Sequence, residues 1–176
     1  MSDRFDPFTD RKSREIRNRL SAAFMHAIDI GDPALFESVI FDLLNQDSVD
    51  SVASHQSYVN DRARRYREAF AEIESRELSD QLAQALVLWN HGLFFEAHER
   101  LEAVWKESSG DHRDALKGLI QAAGVFMHME YGRQNSANRL ASKARNLLIK
   151  HGNLLPIDVA ELVDVLKEGL TQAPKL

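Results

Sequence analysis

The segment WNHGLFFEAHERLEAVW, residues 89–105, gathers the residue types that do chemistry. On a helix advancing 100° per residue, Phe94, Ala97, Leu101 and Val104 form an apolar face. His98 and Trp105 lie at one margin of it, and Glu102 lies just beyond. His98 and Glu102 stand at i and i+4, so their side chains reach one point. An imidazole and a carboxylate so placed hold a divalent cation together, or they hydrogen-bond and set the ring for acid–base work. The spacing alone is not diagnostic in a chain with 7 His. The competing reading makes the pair a partly buried polar tie between two helices. Glu96 and Glu99 are expected to point elsewhere, into solvent, with Glu96 alternatively capping a neighbouring helix.

The next helical stretch, RDALKGLIQAAGVFMHMEYG, carries a core face of Leu116, Leu119, Ile120, Ala123, Phe126 and Met127. Beside it runs a second stripe, Lys117, Gln121, Gly124 and His128, polar where a core stripe would be apolar. If the two helices pack as an antiparallel hairpin, Gln121 and His128 face the edge bearing His98 and Glu102. The expected site then has His98, Glu102 and His128 as metal ligands, leaving one position open on a tetrahedral zinc, manganese or iron ion. In a metal-free version, His98, Glu102 and Gln121 are the catalytic groups. Trp105 and Phe94 wall the pocket in both. The alternative makes His128 a satisfied core histidine and gives Gln121 a backbone carbonyl as partner.

Those two helices must be held by the rest of the chain. Its 176 residues suggest one domain, or a domain with an extension. Hydrophobic residues at 44% and charged residues at 28% are ordinary globular usage. There is no cysteine, which excludes disulfides, thiolate metal sites and cysteine nucleophiles. A net charge of −5 argues against a surface that grips a phosphate backbone. No apolar run approaches the roughly 18 residues of a membrane span, and MSDRFDPFTDRK has no apolar signal region. The expected setting is therefore the cytoplasm, with neither a membrane nor a nucleic acid as partner.

Helical periodicity dominates and strand signals are nearly absent. Helices are expected over 11–30, ended by Gly31, and from Asp32-Pro33 to about Gln46. The polar stretch 47–56 reads as a loop or a weak first turn. Further helices run from Tyr58 to about Glu77, from an N-cap at Ser79 to Asn90, and from Leu93 to about Glu107. Asp111 is expected to cap a helix over 112–131. The last two run from about Gln134 to His151 and from Pro156 or Asp158 to about Leu170. The fold class is all-α, a bundle of about eight helices arranged as stacked antiparallel hairpins. Residues 1–77 form an N-terminal extension and 78–176 the motif-bearing domain, expected to pack as one globular unit. The amphipathic hairpin 11–46 packs on its own chain or on a second copy, giving a homo-oligomer. Gly92 and Ala97 are echoed 40 residues later by Gly132 and Ala137, a faint repeat or two hairpins obeying the same turn chemistry.

Charge adds little. Arg133, Arg139, Lys143, Arg145 and Lys150 occur with no acidic residue among them, and read as a solvated face whose late cations suit the helix dipole. Arg62, Arg64, Arg65 and Arg67, followed by Glu68, Glu72 and Glu74, read as i,i+4 pairing. There is no glycine-rich phosphate loop and no nucleophile elbow.

The residues Asn90, Gly92, Phe94, Phe95, Glu96, Ala97, His98, Glu99, Glu102 and Trp105, then Gly118, Leu119, Ile120, Gln121 and His128, form a long pattern. With Gly132, Ala137 and Ile157-Asp158-Val159, the chain resembles the bacterial and archaeal family catalogued as domain of unknown function 309, over about residues 80–165. It departs from that pattern at Ser136, where the family often has glycine. The resemblance implies a metal-binding role for the H-x-x-x-E-x-x-[WY] element, here His98, Glu102 and Trp105. It supplies no substrate and no reaction. Two functions follow as expectations: a metal-dependent or His/Glu acid–base hydrolase acting on a small molecule, or a non-catalytic helical interaction module. In the second, His98, Glu102, Gln121 and His128 form a buried polar network.

Overall fold

The computed structural model describes residues 4–45, 53–168 and 172–176. Among these there are eight α-helices and no strand: α1 Arg11–Ile30, α2 Ala34–Asn45, α3 Ala53–Ser75, α4 Gln81–Asn90, α5 Phe94–Glu107, α6 Gly110–Glu130, α7 Gln134–His151 and α8 Ala160–Glu168. A 3-10 turn, Gly152–Leu154, follows α7. Within α1–α3 and within α4–α8 consecutive helices pack on one another, so the architecture is all-α, built of packed helices. No helix among the described residues is long and apolar enough to cross a membrane. The chain divides into two compact units, Met1–Glu77 and Leu78–Leu176.

In the first unit, α1 to α3 close on an aromatic centre. Phe24 stacks on Tyr66 at 3.9 Å and meets Phe36 edge-on at 5.4 Å, all three shielded from solvent. Aromatic pairs of this geometry add about 0.5–1.5 kcal/mol beyond the area they bury. Part of the stretch 47–56 lies outside the described residues, yet α3 already begins at Ala53, five residues before the expected Tyr58. The arginine run of α3 is only partly local. Arg64 pairs with Glu68 and Asp61, and Arg65 with Asp61, as helix spacing predicts. Arg67 instead reaches Glu37 of α2 at 2.6 Å, and Arg62 is buried over the Tyr58 ring.

The start of α1 brings an aspartate, a serine and a histidine together without forming a catalytic triad. Asp10 is the N-cap, its Oδ2 accepting from both the backbone N–H and the hydroxyl of Ser13 at 2.6 Å. His55 Nε2 lies 3.2 Å from Ser13 Oγ. The serine is fully buried and its hydroxyl proton is committed to Asp10, so it offers no nucleophile. The Ser13 hydroxyl, and then its N–H, hold the Asp10 carboxyl below its ordinary value.

The second unit is built from two hairpins with the same turn. Gly92 and Gly132 adopt φ of 68° and 71°, left-handed values that glycine takes without strain. After each comes one N-cap residue of nearly identical backbone, Leu93 at φ −90°, ψ 61° and Arg133 at φ −89°, ψ 57°. The hydrogen bonds repeat as well: Leu93 N–H donates to Leu88 O and Arg133 N–H to His128 O, both at 2.9 Å. Four residues on, Ala97 and Ala137 are fully buried, where a larger side chain would separate the helices. The faint repeat is therefore real at the level of turn geometry.

Local signals placed two caps one or two residues away. The α4 cap is Asp80, whose Oδ1 accepts from Ala83 N–H at 2.8 Å, not Ser79. The α6 N-cap is Ser109, so Asp111 sits inside the first turn and not at its cap. The middle of α6 is buried beyond the expected core face, at Ala122 and Val125 too, because α5 and α7 both pack against it. Gly118 marks the closest approach to α7: a Cβ there would stand 2.9 Å from Leu148 Cγ.

Candidate functional site on helices α5 and α6

The residues of α5 divide by burial in a way the periodicity does not reveal. Glu96 is fully buried and Arg100 is 4% exposed, whereas Glu99 is exposed. The expectation that Glu96 sits in solvent is therefore corrected. It lies in the first turn of α5, where the helix dipole favours a carboxylate, four residues ahead of the Arg100 guanidinium. Ala97 and Leu101 complete the buried face.

His98 and Glu102 come together on the edge of that face. His98 Nε2 is 3.3 Å from Glu102 Oε1, with side-chain exposures of 24% and 40%. Across the hairpin, His98 Nδ1 lies 3.2 Å from the Ile120 carbonyl of α6. A carbonyl only accepts, so Nδ1 carries the hydrogen and donates it. In the neutral ring the Nε2 lone pair then faces Glu102 and water. The backbone of α6 thus selects the tautomer, a control that spacing within α5 cannot provide.

The aromatic walls have other neighbours. Phe94 joins Trp89 and Phe126 in a cluster with ring centroids 5.4 Å apart. Trp105 is covered by the Arg113 guanidinium of α6, 3.9 Å above the ring, a cation–π contact the sequence reading did not include. The Trp105 Nε1 and Gln121 Oε1 atoms are both buried and have no hydrogen-bond partner among the described residues. Gln121 directly follows Ile120, whose carbonyl His98 engages.

His128 lies toward α7. Burial holds its imidazole below the ordinary value, helped by the positive charges of Arg133 and Arg139. Gly124, on the same stripe, leaves the space that Leu140 of α7 fills; a Cβ would stand 3.3 Å from its Cδ1. Among the described residues, His98, Glu102 and His128 do not form a group whose ligand atoms all lie within 4.8 Å of one another.

A different trio does. Asp111 and Asp114 of α6 and His151 at the end of α7 bring one ligand atom each within 4.8 Å of the others. Local sequence signals do not reveal it. Asp111 looked like a helix cap and His151 like a helix end, and the residues are 37 to 40 positions apart, so no local period joins them.

Two motif residues act on the chain's last described stretch. Trp89 Nε1–H donates to Pro174 O at 2.8 Å. The Asn90 amide donates to Leu176 O and accepts from Leu176 N–H, at 2.8 and 2.9 Å, and Lys175 Nζ donates to Asn90 O. A cavity of about 320 Å³ lies beside that stretch, lined by Ile157, Asp158, Glu161, Leu162, Lys175 and Leu176, and shares no residue with the α5–α6 edge.

No curated protein and no solved structure matches the chain significantly. Residues 82–140, from α4 into α7, match the model of the family described as "Domain of unknown function (DUF309)". Through that segment, which holds His98, Glu102, Gln121 and His128, the chain is similar to the DUF309 family.

Proposed function

We propose that His98 and Glu102 form an acid–base site that hydrolyses a small molecule. The observation that carries this reading is the hydrogen bond from His98 Nδ1 to the Ile120 carbonyl. It leaves the Nε2 lone pair on a solvent-reachable edge, beside a carboxylate 3.3 Å away. In the proposed reaction Nε2 takes a proton from a water molecule, and the oxygen of that water bonds to an electrophilic centre of the substrate. Glu102 stabilises the imidazolium so formed, which returns the proton to the leaving group. The exposure of the pair weighs against a purely structural tie, because ion pairs in contact with water stabilise little.

The same support suits a second reading. A metal-ligating histidine commonly donates its other ring N–H to a backbone carbonyl, and His98 does so to Ile120. A zinc, manganese or iron ion held by Nε2 and Glu102 would supply a more acidic water.

The test is hydrolysis of a panel of p-nitrophenyl carboxylic and phosphate esters by the full chain. His98→Ala is expected to lower the rate by about 10²- to 10⁴-fold with the melting temperature retained. Chelator sensitivity of the wild-type rate separates the metal reading from the metal-free one. If the wild type hydrolyses none of the panel while His98→Ala melts lower, the residues are a structural tie and the enzyme reading is lost.

A further inference from the structure

We propose a divalent-metal site formed by Asp111, Asp114 and His151, where the first turn of α6 meets the last turn of α7. His151 Nδ1 lies 3.8 Å from Asp111 Oδ1, and Nε2 lies 4.0 Å from Asp114 Oδ2. Both distances are too long for hydrogen bonds. An imidazole ligates an ion through one nitrogen, so either Nδ1 or Nε2 would join a carboxylate oxygen from each aspartate. One ligand atom from each residue lies within 4.8 Å of the other two.

The second observation concerns the ring itself. His151 is 5% exposed, and neither of its ring nitrogens has a hydrogen-bond partner among the described residues. Its two nitrogens face the two carboxylates at ion-pair distance. An ion held by one of them would offset the charge of both carboxylates.

The scaffold presets the arrangement. Gly110 has φ of 59°, which turns the chain so that α6 starts ahead of Asp111. Asp111 and Asp114 at i and i+3 share one side of the helix, and the helix N-terminus favours their negative charge. Gly152, next to His151, has no Cβ because one would stand 2.6 Å from Val159 Cγ2. This close packing against Val159 holds the end of α7 in place.

The donor set selects the ion. One imidazole nitrogen and two carboxylate oxygens suit zinc, cobalt or manganese over calcium, which takes oxygen ligands alone. The carboxylates are exposed, at 76% and 50% of their side-chain surface, so the ion has access from solvent and water can complete its shell. The occupied site would act as a clasp between two helix ends. It shares no residue with the His98–Glu102 edge and does not depend on what that edge does.

The experiment uses the full chain stripped with a chelator and titrated with zinc alone, followed by calorimetry and thermal unfolding. Binding of one equivalent at this site is expected, with a rise of several degrees in melting temperature. Asp111→Asn with Asp114→Asn, an exposed and a half-buried position, should abolish that equivalent and the rise. His98→Ala with Glu102→Gln should leave both unchanged. The ring nitrogens of His151 should shift on zinc addition in a nitrogen-15 spectrum. The proposal is overturned if wild type binds no zinc, or if the double asparagine variant binds as wild type does. It is also overturned if binding is lost only in the His98 and Glu102 variants, which would assign the ion to the other edge.

Discussion

The two histidine sites of the second unit solve opposite problems. His98 is partly exposed, tied to the Ile120 carbonyl and set beside a carboxylate of its own helix. His151 is buried, lacks a hydrogen bond among the described residues, and faces two carboxylates from another helix. The first has its orientation fixed and a lone pair turned toward water, which suits proton transfer. The second is a shielded ring set among carboxylates of another helix, a donor set that suits an ion. Burial and hydrogen bonding, not residue type, separate the two roles.

Three measurements sharpen that contrast. The largest effect is expected at Gly152, where the backbone is an ordinary right-handed helical one and only space forbids a side chain. Gly152→Ala should push Val159 aside and cost about 1–3 kcal/mol of stability, read by urea unfolding. Zinc uptake at the Asp111 cluster should weaken while any hydrolysis that depends on His98 persists. A variant as stable as wild type would show that the end of α7 is not held by this contact.

A smaller effect is expected at Arg113. Arg113→Ala removes the guanidinium from the Trp105 ring and should cost about 0.5–1 kcal/mol. Its tryptophan fluorescence should shift as that face of the indole meets water. An unchanged spectrum would mean the guanidinium does not cover Trp105 in solution.

The smallest effect concerns pH. His128 is held below its ordinary value by burial and by Arg133 and Arg139. The folded state therefore binds fewer protons there than the unfolded chain, and stability rises with pH through the range below the ordinary 6.5. Thermal unfolding from pH 5 to 8, a working range for imidazole titration, should show that rise, and His128→Gln should flatten it. A slope unchanged in the variant would assign the dependence to another histidine.

Much of the fold was readable from local signals. The helix bounds Arg11–Ile30 and Gln134–His151 follow from periodicity and from the glycines after them. The match between Gly92 and Gly132 appeared as a 40-residue echo and became two turns of the same backbone conformation. The caps were less secure, because serine and aspartate neighbours compete for the same role. Ser79 yielded to Asp80, and Asp111 to Ser109. The burial of Glu96 was missed because one helix wheel cannot show how many neighbours pack against it.

The amino-acid order alone determined the helices, the glycine turns and the meeting of His98 with Glu102, because each depends on residues within one or two helical turns. Tertiary packing decided the His98 tautomer through Ile120, the turn of His128 toward Arg139, and the assembly of Asp111, Asp114 and His151. Those contacts depend on the rotation and register of one helix against another. Close packing of side chains along the whole α6–α7 contact sets both, and no spacing within either helix encodes them.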